Sequence, residues 1–225
     1  MRKSTLCSFY NSIFSSEATS EKLCEITKIK KFAKGDVIYI PGDIAGDIYF
    51  VVKGIISLLR VTPNGRGVFL DFIDQNRFFG DEVLLPENNG RMELAEVKKD
   101  VQLAVINADD FKNLSYRDPV VSKFLIEQIT LQSRQLTDRL EILLHREVKV
   151  RLAALLMELS KTHGTIGKKG VVLNLNIPHH ELARFIGATR ETVSATISSL
   201  KNEGTLSSNG RKLIITDMDA LECLI

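Results

Sequence analysis

Four consecutive residues, Thr189 to Thr192, bring together two hydroxyl groups, a guanidinium and a carboxylate. An arginine can donate two parallel hydrogen bonds to a guanine edge, and a glutamate can accept one from cytosine. Arg190 and Glu191 therefore have the residue types that read bases, and Ser194 is expected to face outward beside them. Thr189, Thr192 and His180 are placed to contact phosphate oxygens. This pattern predicts recognition of a nucleic acid through hydrogen bonds.

Two helices are expected to position these side chains. A short helix from His180 to Phe185, a turn at Gly187 and a second helix from Arg190 to Lys201 form the pattern of a helix-turn-helix. The apolar residues that hold the two helices together are Leu182, Ala183, Val193, Ile197 and Leu200. Asn209-Gly210 between two short apolar runs predicts a hairpin beyond the second helix. The alternative is an ordinary three-helix unit with an exposed Arg-Glu pair.

Charge is distributed unevenly along the chain. Residues 146–212 hold 11 Lys and Arg against 5 Asp and Glu, whereas residues 1–145 hold 19 against 20. A basic surface gains affinity for a polyanion by releasing its condensed counterions, so the asymmetry favours nucleic-acid contact in the C-terminal part. The alternative is a lysine-rich surface that is merely solvated.

The N-terminal half has a different pattern. Residues 31–106 alternate short β-rich runs with turn signals, a spacing typical of an antiparallel barrel or sandwich. The turn signals are Lys34-Gly35-Asp36, Pro41-Gly42-Asp43, Lys53-Gly54, Asn64-Gly65-Arg66-Gly67, Phe79-Gly80-Asp81 and Asn88-Asn89-Gly90. We expect an antiparallel β jelly roll, and with the helices that follow it the chain is of the α+β class.

A long helix without Gly or Pro is predicted after Pro119. It carries residues at alternating spacings of three and four, which is the pattern of a coiled-coil seam between two chains. The seam consists of Ile126, Ile129, Ser133, Leu136, Leu140 and Leu143. Val120, Val121, Phe124 and Leu125 form a second apolar stripe that can face the barrel. The alternative is a helix that packs only against its own barrel.

Several classes of protein are not expected. The longest apolar runs are far shorter than the roughly 20 residues of a membrane span, and the N-terminus lacks a secretory signal, so we expect a cytoplasmic protein without membrane contact. Cys7, Cys24 and Cys223 are too few for an iron–sulfur cluster with four thiolates. The four histidines lie outside the barrel, which argues against a metal-dependent enzyme built on it. No catalytic residue, metal site or cofactor is predicted.

The sequence resembles the Crp/Fnr superfamily over nearly its whole length. The motifs that carry the resemblance are GDVI at 35–38 with PGD at 41–43, YFVVKG at 49–54, FGDE at 79–82 and ELARFIGATRETVS at 181–194. The resemblance implies an effector-sensing barrel with an N-terminal helical segment (1–118), a dimerisation helix (119–145) and a winged helix-turn-helix domain (146–225). It implies a homodimeric transcription regulator that binds palindromic double-stranded DNA, with RNA polymerase as a further partner.

The resemblance also assigns site residues. Arg190 and Glu191 match two base-reading positions of the catabolite activators, but the third, an arginine there, is Ala195 here. Thr189 and Thr192 match phosphate-contacting positions, and His180 replaces a phosphate-contacting glutamine. Asn209 and Arg211 match backbone contacts of the wing.

The resemblance leaves the effector open. In the family's cAMP site, Gly80 with Asp81 or Glu82 would serve the ribose, but Glu93-Leu94 replaces the arginine and serine that bind the phosphate, so cAMP is not expected. The position of Arg91 is similar to that in the family's 2-oxoglutarate-responsive regulators, although Arg91 can instead be an exposed loop residue.

Ser133 interrupts the apolar seam, so it marks a place where a ligand can enter. Our candidate effector pocket therefore comprises Gly80, Asp81, Glu82, Arg91, Ser133, Arg134 and Thr137. The effector is a small molecule of unknown identity or is absent. The alternative function is a sensor of a 2-oxoglutarate-like or nucleotide ligand that acts mainly through protein partners.

Overall fold

The computed structural model describes residues 3–61, 67–85, 90–210 and 212–225, apart from the side chains of Lys3 and Ser4. Its contacts divide the chain into two units, Met1–Gln132 and Ser133–Ile225. The division falls inside the long helix, whereas the sequence suggested boundaries at its two ends. The three-part division into 1–118, 119–145 and 146–225 therefore stays a prediction. No helix in the described ranges is long and apolar enough to cross a membrane.

The first unit consists of an antiparallel sheet and the helices that flank it. Its strands are β1 (Thr27–Phe32), β2 (Val37–Tyr39), β3 (Asp47–Val61), β4 (Gly67–Ile73), β5 (Phe78–Phe79) and β6 (Leu94–Asn107). Its helices are α1 (Lys3–Asn11), α2 (Glu17–Ile26), a 3₁₀ helix (Asp81–Leu84), α3 (Ala108–Arg117) and the first part of α4 (Pro119–Leu144).

The two long strands β3 and β6 organise the sheet, whose order is β1-β6-β3-β4, with β2 paired to β6 and β5 to β3. All pairs are antiparallel, and β1 joins β6 in a register that sets Thr27 opposite Ile106. The antiparallel core and its helices confirm the predicted α+β class. The barrel interior is apolar, with Ile48, Phe50 and Leu103 fully buried.

Lys53-Gly54 was expected to be a turn, and this prediction is wrong. β3 runs through both residues, and the pairing between β3 and β6 shifts its register there. Gly54 has φ +104°, and a Cβ atom on it would collide with the backbone of Asp100 and Val101. A glycine with positive φ inside a strand makes a bulge, which bends the strand without ending it.

Helix α4 has two different faces. Val121, Phe124 and Leu125 are buried in the first unit, and the rings of Phe124 and Phe14 lie 4.8 Å apart between centroids. This confirms the second apolar stripe. The six seam residues are all exposed or half-exposed, among them Ile126 at 66% and Leu140 at 64%. Burial of one face cannot account for the apolar residues on the other.

The second unit contains the rest of α4 and a small sheet among short helices. Its helices are α5 (Val148–His163), α6 (His179–Phe185), α7 (Arg190–Asn202) and α8 (Met218–Glu222). Its strands are β7 (Gly164–Gly167), β8 (Gly170–Leu173), β9 (Leu206–Asn209) and β10 (Lys212–Ile215), in the order β7-β8-β10-β9. The predicted helix-turn-helix and hairpin are confirmed within one residue at each end. Gly164 and Gly167 are the two ends of β7.

Candidate functional site

Helix α7 has one face buried in the second unit, and its opposite face is exposed to solvent. Val193, Ile197 and Leu200 are at most 1% exposed, so the helix is held by its apolar face. At its N-terminus Thr189 is the cap: its hydroxyl accepts a hydrogen bond from the backbone N–H of Thr192 at 3.2 Å. A threonine cap satisfies an N–H that has no partner within the helix, so this end of α7 is well defined.

The predicted base-reading residues meet at this end of α7. Arg190 and Glu191 are exposed in the first turn, and Thr192 is exposed beside them. The hydroxyls of Thr189 and Thr192 lie 2.9 Å apart. The positive end of the helix dipole adds attraction for an anion here. Ala195 is exposed one turn further along and has only a methyl group to offer.

Ser194 does not face freely outward as expected, because it joins α7 to α6. It is half-buried, and its hydroxyl lies 2.8 Å from Nδ1 of His179. Burial, followed by the positive charges of Lys201 and Arg190, lowers the pKa of His179. The ring is therefore neutral at pH 7, and its bond to Ser194 orients the start of α6. His180, the next residue, is exposed.

A basic groove that sequence reasoning missed lies beside α7. It has a volume of about 380 Å³ and is lined by α7, the wing strands and the start of α6. Lys201 donates a hydrogen bond to the hydroxyl of Ser208 at 3.1 Å, and Lys212 donates one to the Asn174 side chain at 3.3 Å. The predicted hairpin register was the available signal, because it places Lys212 opposite Asn209. Asn209 is exposed, and Arg211 lies outside the described residues.

The candidate effector residues of the barrel form a cluster around Arg91. Its side chain is 1% exposed, so the alternative of an exposed loop residue is wrong. The guanidinium donates hydrogen bonds to the carbonyl oxygens of Gly80 (3.0 Å) and Asp47 and to the carboxylate of Glu82 (3.1 Å). It also stacks over the ring of Tyr39, 4.4 Å from its centroid.

Gly80 makes room for this arginine. The residue has φ +81°, a conformation that favours glycine, and a Cβ atom built on it would lie 2.7 Å from a nitrogen of the Arg91 guanidinium. The 3₁₀ helix that begins with Asp81 and Glu82 follows directly. The family-like motif at 79–82 thus packs around a cation that belongs to the protein itself.

Three carboxyl groups surround that cation. Burial, together with the charges of Glu82 and Asp81, raises the pKa of Glu93 to about 7. Burial also raises the pKa of Asp81. Arg60 lies 3.7 Å from Glu93, but its own side chain is 45% exposed. The position at which the resemblance implies a phosphate is therefore acidic.

The remaining pocket candidates lie on α4 in the second unit. Ser133 and Arg134 are exposed, and the Thr137 hydroxyl donates a hydrogen bond to the Ser133 carbonyl at 3.1 Å. The part of Ser133, Arg134 and Thr137 in an effector pocket stays a prediction. Within the described ranges, no group of three His, Cys, Asp or Glu side chains is arranged to hold a metal ion.

Comparison with known proteins gives two domain matches. Residues 29–118 match the cyclic nucleotide-binding domain family, and residues 150–224 match the Crp-like helix-turn-helix domain family. Among curated relatives, the transcriptional regulator SdrP of Thermus thermophilus is 30% identical over 203 residues, which is 89% of this chain and 95% of SdrP. A global nitrogen regulator of Synechococcus elongatus is 26% identical over 86% of this chain and 88% of its own.

Solved structures agree with these matches. A CRP/FNR-family transcriptional regulator from Thermus thermophilus is 30% identical, with a TM-score of 0.71 over 88% of this chain and 97% of its own. FixK2 from Bradyrhizobium japonicum has a TM-score of 0.76 over 88% of this chain and 97% of its own. At 22% identity, FixK2 supports the fold alone.

Proposed function

Because the chain belongs to the Crp/Fnr family of transcription regulators, we propose that it binds palindromic promoter DNA as a homodimer. The family assignment makes it a transcription regulator with a helix-turn-helix DNA-binding domain. The observation that carries the proposal is the arrangement of α7. Its apolar face is buried, and its capped first turn presents Arg190 and Glu191 to solvent.

Base reading is assigned to this first turn. Arg190 donates two hydrogen bonds to a guanine, and Glu191 accepts one from a cytosine in the major groove. Ala195 is too short to reach a base edge through a polar group. Discrimination is therefore concentrated at fewer base pairs per half-site than in family members with an arginine at this position.

Phosphate contacts position α7 on the duplex. His180, Thr189 and Thr192 lie around the two N-termini of the helix-turn-helix, and the wing contributes Asn209 and Arg211. The basic groove adds Lys201 and Lys212, whose ammonium groups donate to the neutral side chains of Ser208 and Asn174 and can also contact a phosphate. Ser194 acts through His179, which it helps to hold, and positions α6 behind the interface.

The exposed seam of α4 is proposed as the dimer interface. Its apolar residues repeat at coiled-coil spacing on a helix whose first turns are already buried through Val121, Phe124 and Leu125. Two copies that pair through this seam would present two helix-turn-helix units to successive turns of DNA. The family's usual mode of binding supports this arrangement.

The proposed location, partners and chemistry of the protein follow from its proposed binding to promoter DNA. We place the protein in the cytoplasm with the DNA, with RNA polymerase as a partner and no enzymatic activity or cofactor. The barrel serves as the sensor for a small effector other than cAMP. The competing function is a sensor of a 2-oxoglutarate-like or nucleotide ligand that acts mainly through protein partners.

A mobility-shift titration separates these functions. The full chain is mixed with a duplex selected from a random pool, at low and at moderate salt. Binding should weaken steeply as salt rises, because each phosphate contact releases a counterion. Salt-independent or absent binding would favour the protein-partner function.

The same assay tests the dimer. Leu136→Glu with Leu140→Glu should give a monomer in sedimentation and lose the DNA complex, because two charges would be buried at the seam. Leu131→Glu is the matched control, since Leu131 is 51% exposed on the same helix but lies outside the seam. A double variant that remains dimeric would reject the seam.

A further inference from the structure

The cluster around Arg91 contains acceptor atoms that neither the fold nor DNA binding uses. We propose that Tyr39, Glu82 and Glu93 bind an organic cation with N–H donors, such as an alkylammonium group. The inference rests on the proposed function, because it names the chemical class of effector for the barrel of a DNA-binding regulator. It assigns the opposite charge to the ligand from the anion that the sequence motifs suggest.

The cations that an anionic ligand would need are already engaged. Arg91 donates to Gly80, Asp47 and Glu82, and it stacks on Tyr39. A carboxylate or phosphate ligand would have to displace these protein partners from a side chain that is almost fully buried. Arg60, a further cation near the cluster within the part of the chain that the structure describes, is paired with Glu93.

The unused groups are acceptors. Glu82 bonds Arg91 through Oε2, whereas its Oε1 is buried and has no hydrogen-bond partner among the described residues. The Tyr39 hydroxyl is also buried and has no partner there, and the residue is only 4% exposed. Buried polar atoms are normally hydrogen-bonded, and these two atoms can each accept a hydrogen bond from a bound donor. A donor-rich ligand would satisfy both atoms.

Tyr39 lies beside the acidic cluster, because the Arg91 guanidinium that bonds Glu82 also lies 4.4 Å from the centroid of the Tyr39 ring. Burial raises the pKa of the Tyr39 hydroxyl; the negative charges of Glu82, Glu93 and Asp81 raise it further, and the charge of Arg91 lowers it. Among the described residues, burial and then the carboxylates of Glu82 and Asp81 raise the pKa of Glu93, and Arg60 and Arg91 lower it. A bound cation would relieve the repulsion between these carboxyl groups, although the whole chain has a net charge of +2 and offers cations no general attraction.

An ammonium group fits the cluster better than a metal ion does. A divalent metal needs several oxygen ligands converging at short distance. The described residues contain no such group of carboxylates. An ammonium group, in contrast, donates separate hydrogen bonds in several directions and can donate to a phenol oxygen as well as to a carboxylate. Glu82 and Glu93 keep 13% and 20% of their side chains exposed, so the cluster reaches the surface.

Calorimetry on the full chain tests the inference with a matched pair of probes. Putrescine carries two ammonium groups, and its fully N-methylated analogue carries the same charge without any N–H donor. Putrescine should bind saturably, and the analogue should bind about tenfold more weakly or not at all, because it cannot satisfy the buried acceptors. cAMP and 2-oxoglutarate should not bind.

Two variants locate the site. Tyr39→Phe removes only the unpartnered hydroxyl and costs the fold no hydrogen bond, so the protein should fold and bind putrescine about fivefold more weakly. Glu93→Gln should weaken putrescine in the same way. Glu25→Gln, an exposed carboxylate on α2, is the control and should leave binding unchanged.

Each contrary outcome rejects the inference. Absence of putrescine binding, equal binding of both probes, binding that survives Tyr39→Phe and Glu93→Gln, or tighter binding of 2-oxoglutarate would each overturn it. DNA binding is measured on the same samples without putrescine. A chain that shifts DNA but ignores putrescine loses only the inference, whereas one that binds putrescine but no DNA loses the proposed function.

Discussion

Arg190 in the first turn of α7 and Arg91 just before β6 carry the same guanidinium, yet their surroundings are opposite. Arg190 is exposed, and no ion pair or hydrogen bond engages it among the residues that the structure describes. Arg91 is buried and bonded to two carbonyl oxygens and a carboxylate. The proposed DNA-binding surface leaves the side chain of Arg190 exposed to solvent, whereas in the barrel Arg91 stabilises the fold through its buried hydrogen bonds.

This contrast shows that an arginine in a sequence motif can serve either to bind a partner or to stabilise the fold. From the sequence, Arg91 is interpreted as a residue that binds a ligand together with Gly80 and Glu82. In the folded barrel the same cation is a structural element, and the ligand-binding capacity passes to its acidic neighbours. Removing each arginine should therefore damage different properties of the protein.

The largest effect is expected for Arg91→Ala. The change leaves Glu82 and two backbone carbonyl oxygens buried without their donor, and breaking a buried ion pair in this way costs about 3–5 kcal/mol. Urea unfolding followed by tyrosine fluorescence measures the loss. Arg60→Ala is the control and should cost less than about 1 kcal/mol, because its pair with Glu93 is half-exposed. Equal losses of unfolding free energy in the two variants would show that Arg91 does not stabilise the barrel more than an exposed arginine does.

The next effect is a pH dependence that Glu93 imposes on the barrel. Its pKa is raised from 4.5 to about 7 by burial and by Glu82 and Asp81. Between these values the folded state holds a proton that the unfolded state has lost, so stability falls as pH rises through this window. The fall is at most about 3 kcal/mol for a shift of this size.

Glu93→Gln should remove that part of the dependence. The variant should match the native protein at pH 4 and unfold at higher urea concentration at pH 8. Arg60 and Arg91 are the neighbouring cations and remain in both proteins, so the difference between the two profiles isolates Glu93. Parallel profiles for the two proteins would show that Glu93 ionises normally.

Arg190→Ala should leave the fold intact and change recognition. Loss of a bidentate contact costs about 1–3 kcal/mol of binding and flattens preference at one G·C pair per half-site. Selection from a random DNA pool measures both effects. Lys201→Gln is the matched control, because loss of a phosphate contact should weaken all sequences alike and reduce the salt dependence by about one ion. An unchanged site preference in Arg190→Ala would show that α7 does not read bases.

The smallest effect is expected for Thr189, which caps α7 and is also proposed to contact a phosphate. Thr189→Ala removes the cap of α7 and should cost about 1 kcal/mol of stability in addition to a phosphate contact. Thr189→Ser keeps a capping hydroxyl and should restore the stability measured by thermal unfolding. A loss that serine does not restore would assign the effect to packing of the threonine methyl.

The helix-turn-helix could be predicted closely because its signals are local. Val193, Ile197 and Leu200 recur at helical spacing, and Gly187 adopts φ +60° at the predicted turn. The long helix could be predicted equally well, since the residues of its two apolar stripes lie within one continuous segment of the sequence. Ser194 was misplaced because its partner His179 belongs to the preceding helix, and sequence spacing alone does not give the crossing of two helices.

The barrel cluster could not be predicted in the same way. Arg91 meets Asp47, Gly80 and Tyr39 only after β2, β3 and β5 have been brought together by the sheet. No periodicity in the sequence encodes these contacts. For the same reason the turn signal at Gly54 was ambiguous, because its positive φ can serve a hairpin or a bulge and the approach of β6 decides which.

The pairing of β1 with β6 has a consequence for the order in which the chain can fold. Thr27, the first residue of β1, pairs with Ile106, near the end of β6, so β1 has no strand partner until almost the whole barrel has been synthesised. The hairpin β9–β10 closes between Asn209 and Lys212, within a few residues. Pairing distant segments slows folding, because the chain must close a long loop first. During synthesis on the ribosome, we therefore expect the barrel to fold slowly and the β9–β10 hairpin to fold fast, although the barrel emerges first.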